Sequence, residues 1–260
     1  MVKVLPEQQL KQLLAPLLTD AQNITLEPVR KGMANQVYHV RGEGISWAVK
    51  ILGPAGFSAV DYRKIEQLQQ QLANLQVAPT VVDVNLQHRV WVEQWVDTPS
   101  SGGIETDRLA QALAKIHNLD LQAPTLALLP CWQHYLEQLP SKQARQFIPQ
   151  RDKLAAVIGQ SSHYYDFCLC HNDLSFTHLV GDNRDIVIDW EYAATGNRYF
   201  DLAACALINE LNETQCRALS DDYATRMGLE RSLVYGKLQD FIPVVDFTNR
   251  LWQAAAERQC

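Results

Sequence analysis

The hydrophobic period of this chain changes once, and that change restricts the folds open to it. Up to Asp97 the pattern is mainly that of strands. Trp47, Val49 and Ile51 alternate with Ala48, Lys50 and Leu52, which places the two sets on opposite faces. Val37–Val40, Thr80–Val84 and Val90–Val96 are further strand candidates. Leu10, Leu13, Leu14, Leu17 and Leu18 form a helical stripe that Pro16 interrupts, and Ile65, Leu68, Leu72 and Leu75 form a second one. Gly53-Pro54-Ala55-Gly56 breaks the strand that carries Lys50, and Thr98-Pro99-Ser100-Ser101-Gly102-Gly103 is a boundary loop. Beyond it helical spacing dominates: Leu109–Leu119, Cys131–Leu139, Ala144–Ile158, Leu202–Leu211, Glu213–Met227 and Ser232–Glu257. A single β-rich interruption runs from Phe167 to Trp190. The expected fold is α+β and bilobal, with a small β-rich lobe over 1–97 and a larger helical lobe over 98–260.

Charge and composition narrow the function classes. The 260 residues carry 23 basic and 29 acidic side chains, a net charge of −6. Phosphate backbones demand clustered Lys and Arg, so nucleic acid is not an expected partner, whereas neutral or cationic ligands are. No stretch approaches the roughly 20 apolar residues of a membrane span. The first 18 residues read as an amphipathic helix and not as a secretory signal, so a cytoplasmic setting is expected. The six cysteines, at 131, 168, 170, 205, 216 and 260, form no CxxC pair and are expected to be reduced, buried thiols. Monomer and homodimer both remain open.

The densest polar constellation is Cys170-His171-Asn172-Asp173-Leu174-Ser175-Phe176-Thr177-His178, followed by Ile186-Val187-Ile188-Asp189-Trp190-Glu191. Between them, Gly181-Asp182-Asn183-Arg184 is turn chemistry flanked by short apolar runs, which predicts a β-hairpin. Folding the chain back there returns Asp189 to residues 176–178, beside the loop that holds Asp173. Paired carboxylates so placed suit a divalent cation and a nearby base. Taken singly, each aspartate is equally at home as a solvated turn residue.

These residues resemble the aminoglycoside phosphotransferase and choline kinase superfamily, whose fold is protein-kinase-like. The family's HxDxxxxN loop matches His171 and Asp173, its IDxE strand matches Ile188-Asp189-Trp190-Glu191, and its DLA segment matches Asp201-Leu202-Ala203. The wording is closest to the choline kinase and thiamine kinase branch. The resemblance spans residues 24–257 and is most specific over 168–204. It implies an ATP- and Mg2+-dependent transfer in which Asp173, with His171, is catalytic and Asp189 binds the metal. It also implies that Lys50 contacts the nucleotide phosphates, with Glu66 on the next helix as its ion-pair partner. The stretch Gly32-Met33-Ala34-Asn35-Gln36-Val37-Tyr38 would be the nucleotide loop, and Glu93 to Val96 would offer hinge backbone to adenine. Asp201 reads as a helix N-cap that also steadies the catalytic loop, and His117 as a satisfied helix-face histidine.

One position departs from the family. Its metal-ligating asparagine is His178 here; magnesium prefers oxygen donors and imidazole suits softer transition metals, so His178 is open to binding Mn2+ better than Mg2+, to leaving the ion to Asp189 and waters, or to marking reduced activity. Aromatic and acidic residues at Trp190, Glu191, Tyr192, Asp246, Phe247 and Trp252 are candidates for the acceptor pocket, and such sets attract organic cations. The expected acceptor is a small cationic alcohol such as choline or thiamine. Aminoglycoside phosphorylation and nucleotide binding without transfer are the alternatives.

Overall fold

The computed structural model describes residues 6–18, 23–31, 35–42, 44–53, 60–98, 103, 105–161 and 163–258. Gly32, Met33 and Ala34 of the expected nucleotide loop, Pro54, Ala55 and Gly56, Pro99 to Gly102, and Cys260 lie outside the described residues. The chain forms two compact units, Met1–Asp97 and Thr98–Cys260.

The first unit is built on an antiparallel sheet of five strands. In chain order the elements are α1 (Glu7–Leu14), β1 (Thr25–Lys31), β2 (Gln36–Gly42), β3 (Ile45–Ile51), α2 (Tyr62–Asn74), β4 (Val81–Asn85) and β5 (Val90–Gln94), and the sheet order is β1-β2-β3-β5-β4. The leucine stripe at the N-terminus does not run on to Leu18 as one helix. Pro16 ends α1 at Leu14, and the chain continues as a 3-10 turn over Ala15–Leu17. Strand β1, which hydrophobic alternation does not single out, lies at the sheet edge. Its register shifts between Pro28 and Arg30, where a proline that cannot donate to the ladder is tolerated.

The two faces of the sheet do different work. Val40, Val49, Ile51, Val90 and Val92 pack on Leu10, Leu14 and Ile24. Each such side chain contributes about 1.5–3 kcal/mol on full burial. The alternate residues of β3 and β5, Ala48, Lys50, Trp91 and Glu93, occupy the other face, and Gln69 of α2 reaches it. Helix α2 starts at Asp61, whose carboxylate accepts the Lys64 N–H, and it buries Ile65, Leu68, Gln69 and Leu72.

The second unit is mainly helical: α3 (Thr106–His117), α4 (Leu128–Glu137), α5 (Ser141–Ser161), α6 (Arg198–Ile208), α7 (Glu213–Met227) and α8 (Arg231–Ala256). Helix α3 packs on α7, and α8 is covered by α4, α5, α6 and α7. Two small strand pairs lie between α5 and α6 in sequence. One joins β6 (Phe167–Cys170) to β9 (Ala194–Asn197), and the other is the hairpin of β7 (Leu179–Val180) and β8 (Ile186–Val187). Among the described residues no helix is long and apolar enough to cross a membrane.

Candidate active site

In the second unit the loop after β6 is clamped from both sides by buried polar groups. Asp201 is fully buried, and its carboxylate accepts the His171 N–H at 2.8 Å and the Asn172 N–H at 2.7 Å. Asp201 is therefore not the N-cap: that place belongs to Asn197, which accepts the Tyr199 N–H, and Asp201 sits one turn inside α6. On the far side, Asn209 accepts the Phe176 N–H at 2.7 Å and donates to the Leu174 carbonyl at 3.0 Å. Asn172 takes a left-handed φ of 63°, a conformation its short amide tolerates, and its side chain donates to the Tyr192 carbonyl. Sequence reading missed Asn209 because an asparagine at a helix end is ordinary.

His171 is fully buried and engaged at both ring nitrogens. It donates through Nε2 to the Ile188 carbonyl at 3.1 Å and accepts the Asp173 N–H at Nδ1, 3.3 Å away. His171, expected to act beside Asp173, thus ties the loop to the strand preceding Asp189. The hairpin does return Asp189 as expected, because the Ile188 N–H donates to the His178 carbonyl at 3.0 Å. One ligand atom each of Asp173, His178 and Asp189 lie within 4.8 Å of one another.

The proton on His178 follows from its contacts. Nδ1 lies 2.9 Å from the Asp173 carbonyl and 3.3 Å from the Ser175 nitrogen, and the shorter contact assigns the proton to Nδ1. The Nε2 lone pair then faces Asp189, whose Oδ2 is 3.7 Å away. Asp189 itself holds φ 73° and ψ 50°, so its carboxylate sits at a sharp reversal between β8 and the 3-10 turn Trp190–Tyr192.

A second buried network stands behind Asp201. His117 donates to Asp201 at 3.0 Å and accepts from the Tyr223 hydroxyl at 2.6 Å. Burial acts to raise the Asp201 carboxyl. The His117 hydrogen bond, the charge interactions with His117 and His171 and the His171 N–H outweigh it and hold the carboxyl below its ordinary value. Burial pushes the Tyr223 hydroxyl up, so it remains the donor.

In the first unit Lys50 pairs with Glu93, Nζ to Oε1 at 3.1 Å, with both side chains buried. Glu66 is not the partner of Lys50. Its position is one residue off the inward stripe of α2, and it accepts from Gln70 one turn along the helix. Glu93 is also corrected as hinge backbone, since β5 runs between β3 and β4 and Glu93 is in register with Ala48 and Val81. The following N–H groups of Gln94 and Trp95 bond to Thr80 and Ser46, which leaves Val96 just past the sheet. Asn35 is buried and accepts the Gly53 N–H at 3.1 Å, closing the base of the loop between β1 and β2 against the end of β3.

The acceptor candidates have different surroundings. Trp190 is 1% exposed, donates to the Val187 carbonyl and packs on His171, so it is core. Phe247 is fully buried against Trp132. Asp246 lies on the exposed side of α8 in an ion pair with Arg250, while Trp252 is half-buried on the same helix. Glu191 and Tyr192, both half-buried, remain beside Asp189 in the chain reversal.

The cysteines that the structure describes are free thiols. Cys168 and Cys170 share one face of β6 with their sulfurs 3.9 Å apart, near His117. The hydrogen bond from Cys170 lowers the Cys168 thiol to about 7 against the opposing effect of burial, and His117 and Arg198 add to the lowering. Burial raises Cys131, Cys170 and Cys205. Among the described cysteines, Cys168 is therefore expected to be alkylated first by iodoacetamide at neutral pH, as followed by peptide mass mapping. Faster labelling of Cys131, also half-buried, would contradict this ordering.

The chain matches the model of the phosphotransferase enzyme family over residues 25–231 and belongs to that family. It is 25% identical over 210 residues to protein LicA of Haemophilus influenzae, covering 75% of this chain and 61% of that protein. A second relative, an uncharacterised protein of Metamycoplasma hominis, is 24% identical over 119 residues, 44% of this chain and 23% of that protein. The chain thus spans less than two thirds of the length of these curated relatives. Among solved structures, the choline kinase LicA from Streptococcus pneumoniae superposes with a TM-score of 0.74 at 18% identity, over 97% of this chain and 91% of the other. The Plasmodium vivax ethanolamine kinase superposes with a TM-score of 0.79 at 12% identity, over 100% and 86%. The fold is the α+β, protein-kinase-like fold of these neighbours.

Proposed function

We propose that this chain transfers the γ-phosphoryl group of ATP to the hydroxyl of a small cationic alcohol. The observation that carries the reading is the convergence of Asp173, His178 and Asp189 on a loop held by Asp201, in a member of a phosphotransferase family. Asp173 orients the acceptor hydroxyl and takes its proton. Lys50 contacts the nucleotide phosphates. Family neighbours that act on choline and ethanolamine, together with the net charge of −6, support a cationic acceptor. Glu191 and Tyr192, next to Asp189, are the acceptor contacts in this reading.

The donor set beside Asp189 fits a divalent cation, because the Asp189 carboxylate and the His178 Nε2 lone pair face each other. When bound, the cation neutralises charge on the phosphate oxygens. Magnesium prefers an all-oxygen shell, whereas manganese accepts imidazole. Isothermal titration of the protein is expected to show Mn2+ bound about 10-fold more tightly than Mg2+, and His178→Asn to bring the two within about 2-fold. Equal affinities in the wild type would remove His178 from the ligand set.

The activity is tested by ADP release with choline, ethanolamine, thiamine and an aminoglycoside, beside Asp173→Ala. Acceptor-dependent release with one of the cationic alcohols is expected. Release only with the aminoglycoside would overturn the acceptor class, and no stimulation above the variant would overturn the activity.

A further inference from the structure

Protein kinases fix the phosphate-contacting lysine of the third strand with a glutamate from the helix that follows. The helix in this chain has no carboxylate at the inward position. Helix α2 presents Gln69, which is 2% exposed, and the acid comes from strand β5 as Glu93, 1% exposed. Lys50 lies opposite Trp91 in the β3–β5 register, so Glu93 is its diagonal neighbour on the same face.

Both oxygens of Glu93 are committed. Oε1 receives Lys50 at 3.1 Å, while Oε2 receives Gln69 Nε2 at 2.8 Å and Trp91 Nε1 at 3.0 Å. Gln69 also donates to the Pro79 carbonyl at 3.2 Å, just before β4. The carboxylate is thus locked by donors from its own strand and from α2, and it offers Lys50 a fixed charge.

We propose that Glu93 is the positioning residue for the nucleotide-contacting lysine, with Gln69 and Trp91 as its lock. This counter-charge comes from the sheet that carries Lys50, and α2 contributes the neutral Gln69 amide to its lock. This deepens the phosphotransferase reading above and rests on it.

Glu93→Gln tests the proposal, because its amide nitrogen must face either the Lys50 ammonium or the two donors at Oε2. Calorimetric titration with a non-hydrolysable ATP analogue is expected to show about 10-fold weaker binding, with the KM for ATP raised similarly and the acceptor KM changed less than about 2-fold. Glu66→Gln is expected to change nucleotide affinity less than about 2-fold. The double variant Gln69→Glu/Glu93→Gln returns a carboxylate to the cluster from the helix side and is expected to recover affinity to within about 3-fold of wild type. Circular dichroism and tryptophan fluorescence report whether each variant is folded.

Wild-type affinity in folded Glu93→Gln overturns the proposal, as does a loss in Glu66→Gln as large as that in Glu93→Gln. Should Glu93→Gln not fold, the double variant decides: recovered affinity supports the proposal, and a folded protein that binds as weakly as a Lys50→Ala control overturns it. A wild-type protein that binds no nucleotide would instead sink the phosphotransferase reading itself.

Discussion

Asp173→Asn is expected to lower kcat by about 10²–10⁴-fold, the usual contribution of a positioned base, while leaving the fold and nucleotide affinity intact. The backbone of Asp173 is itself part of the loop's bonding. Its N–H bonds to His171 and its carbonyl accepts from His178, and both contacts survive the substitution. What changes is the ability of a half-buried carboxylate to take a proton. The same variant separates two roles that the geometry places close together, since Asp173 lies within 4.8 Å of His178 and Asp189. A base that does not bind metal leaves Mn2+ affinity within about 2-fold when replaced by asparagine, whereas a ligand loses several-fold. Steady-state ADP release, with Mn2+ titration on the same samples, checks both. A kcat within 10-fold of wild type would take the proton-accepting role away from Asp173.

Local chemistry made some of this architecture readable before any coordinates. The β7–β8 hairpin was legible because Gly181-Asp182-Asn183-Arg184 is a turn sequence, and Gly181 and Arg184 do adopt φ of 83° and 53°. Helix α7 begins at Glu213 because Asn212 and Gln215 form a reciprocal cap, and it ends at Met227 because Gly228 takes φ 66°. The errors share a different cause. The family resemblance points to Glu66 on the next helix as the partner of Lys50, but the carboxylate paired with it is a diagonal cross-strand residue, a relation that only strand register defines. Asp201 precedes a small apolar run and so resembles a cap, yet α6 starts earlier, at an asparagine whose own side chain closes the first turn. Trp190 illustrates the third kind of error: an aromatic beside a catalytic motif is as useful in packing as in binding, and here its ring lies on His171. In each case the residue type was informative and the partner was not.

Replacing Asp201 should carry a large stability effect. Its fully buried carboxylate accepts two backbone N–H groups and His117, and His117 in turn holds Tyr223. Asp201→Ala leaves these donors without an acceptor, and breaking a buried charged network costs about 3–5 kcal/mol. For a protein of this size that corresponds to a fall in Tm of roughly 10 °C. Asp201→Asn keeps one acceptor oxygen but points an amide nitrogen at donors, so it is expected to fall between Asp201→Ala and wild type. The pH dependence follows from the depressed carboxyl. A group whose folded value lies below its unfolded 3.8 stabilises the fold above that value, and the stabilisation is lost as pH falls through the folded value. The Tm gap between wild type and Asp201→Asn is therefore expected to stay constant from about pH 8 to pH 5 and to close in stronger acid. A gap that closed near neutrality would assign the effect to a histidine. Because the two bonded N–H groups belong to His171 and Asn172, the residues before Asp173, loss of the anchor should also lower kcat at temperatures where the variant remains folded. An Asp201→Ala protein with wild-type Tm and kcat would show that the clamp is idle and that the loop is held by Asn209 and His171 alone.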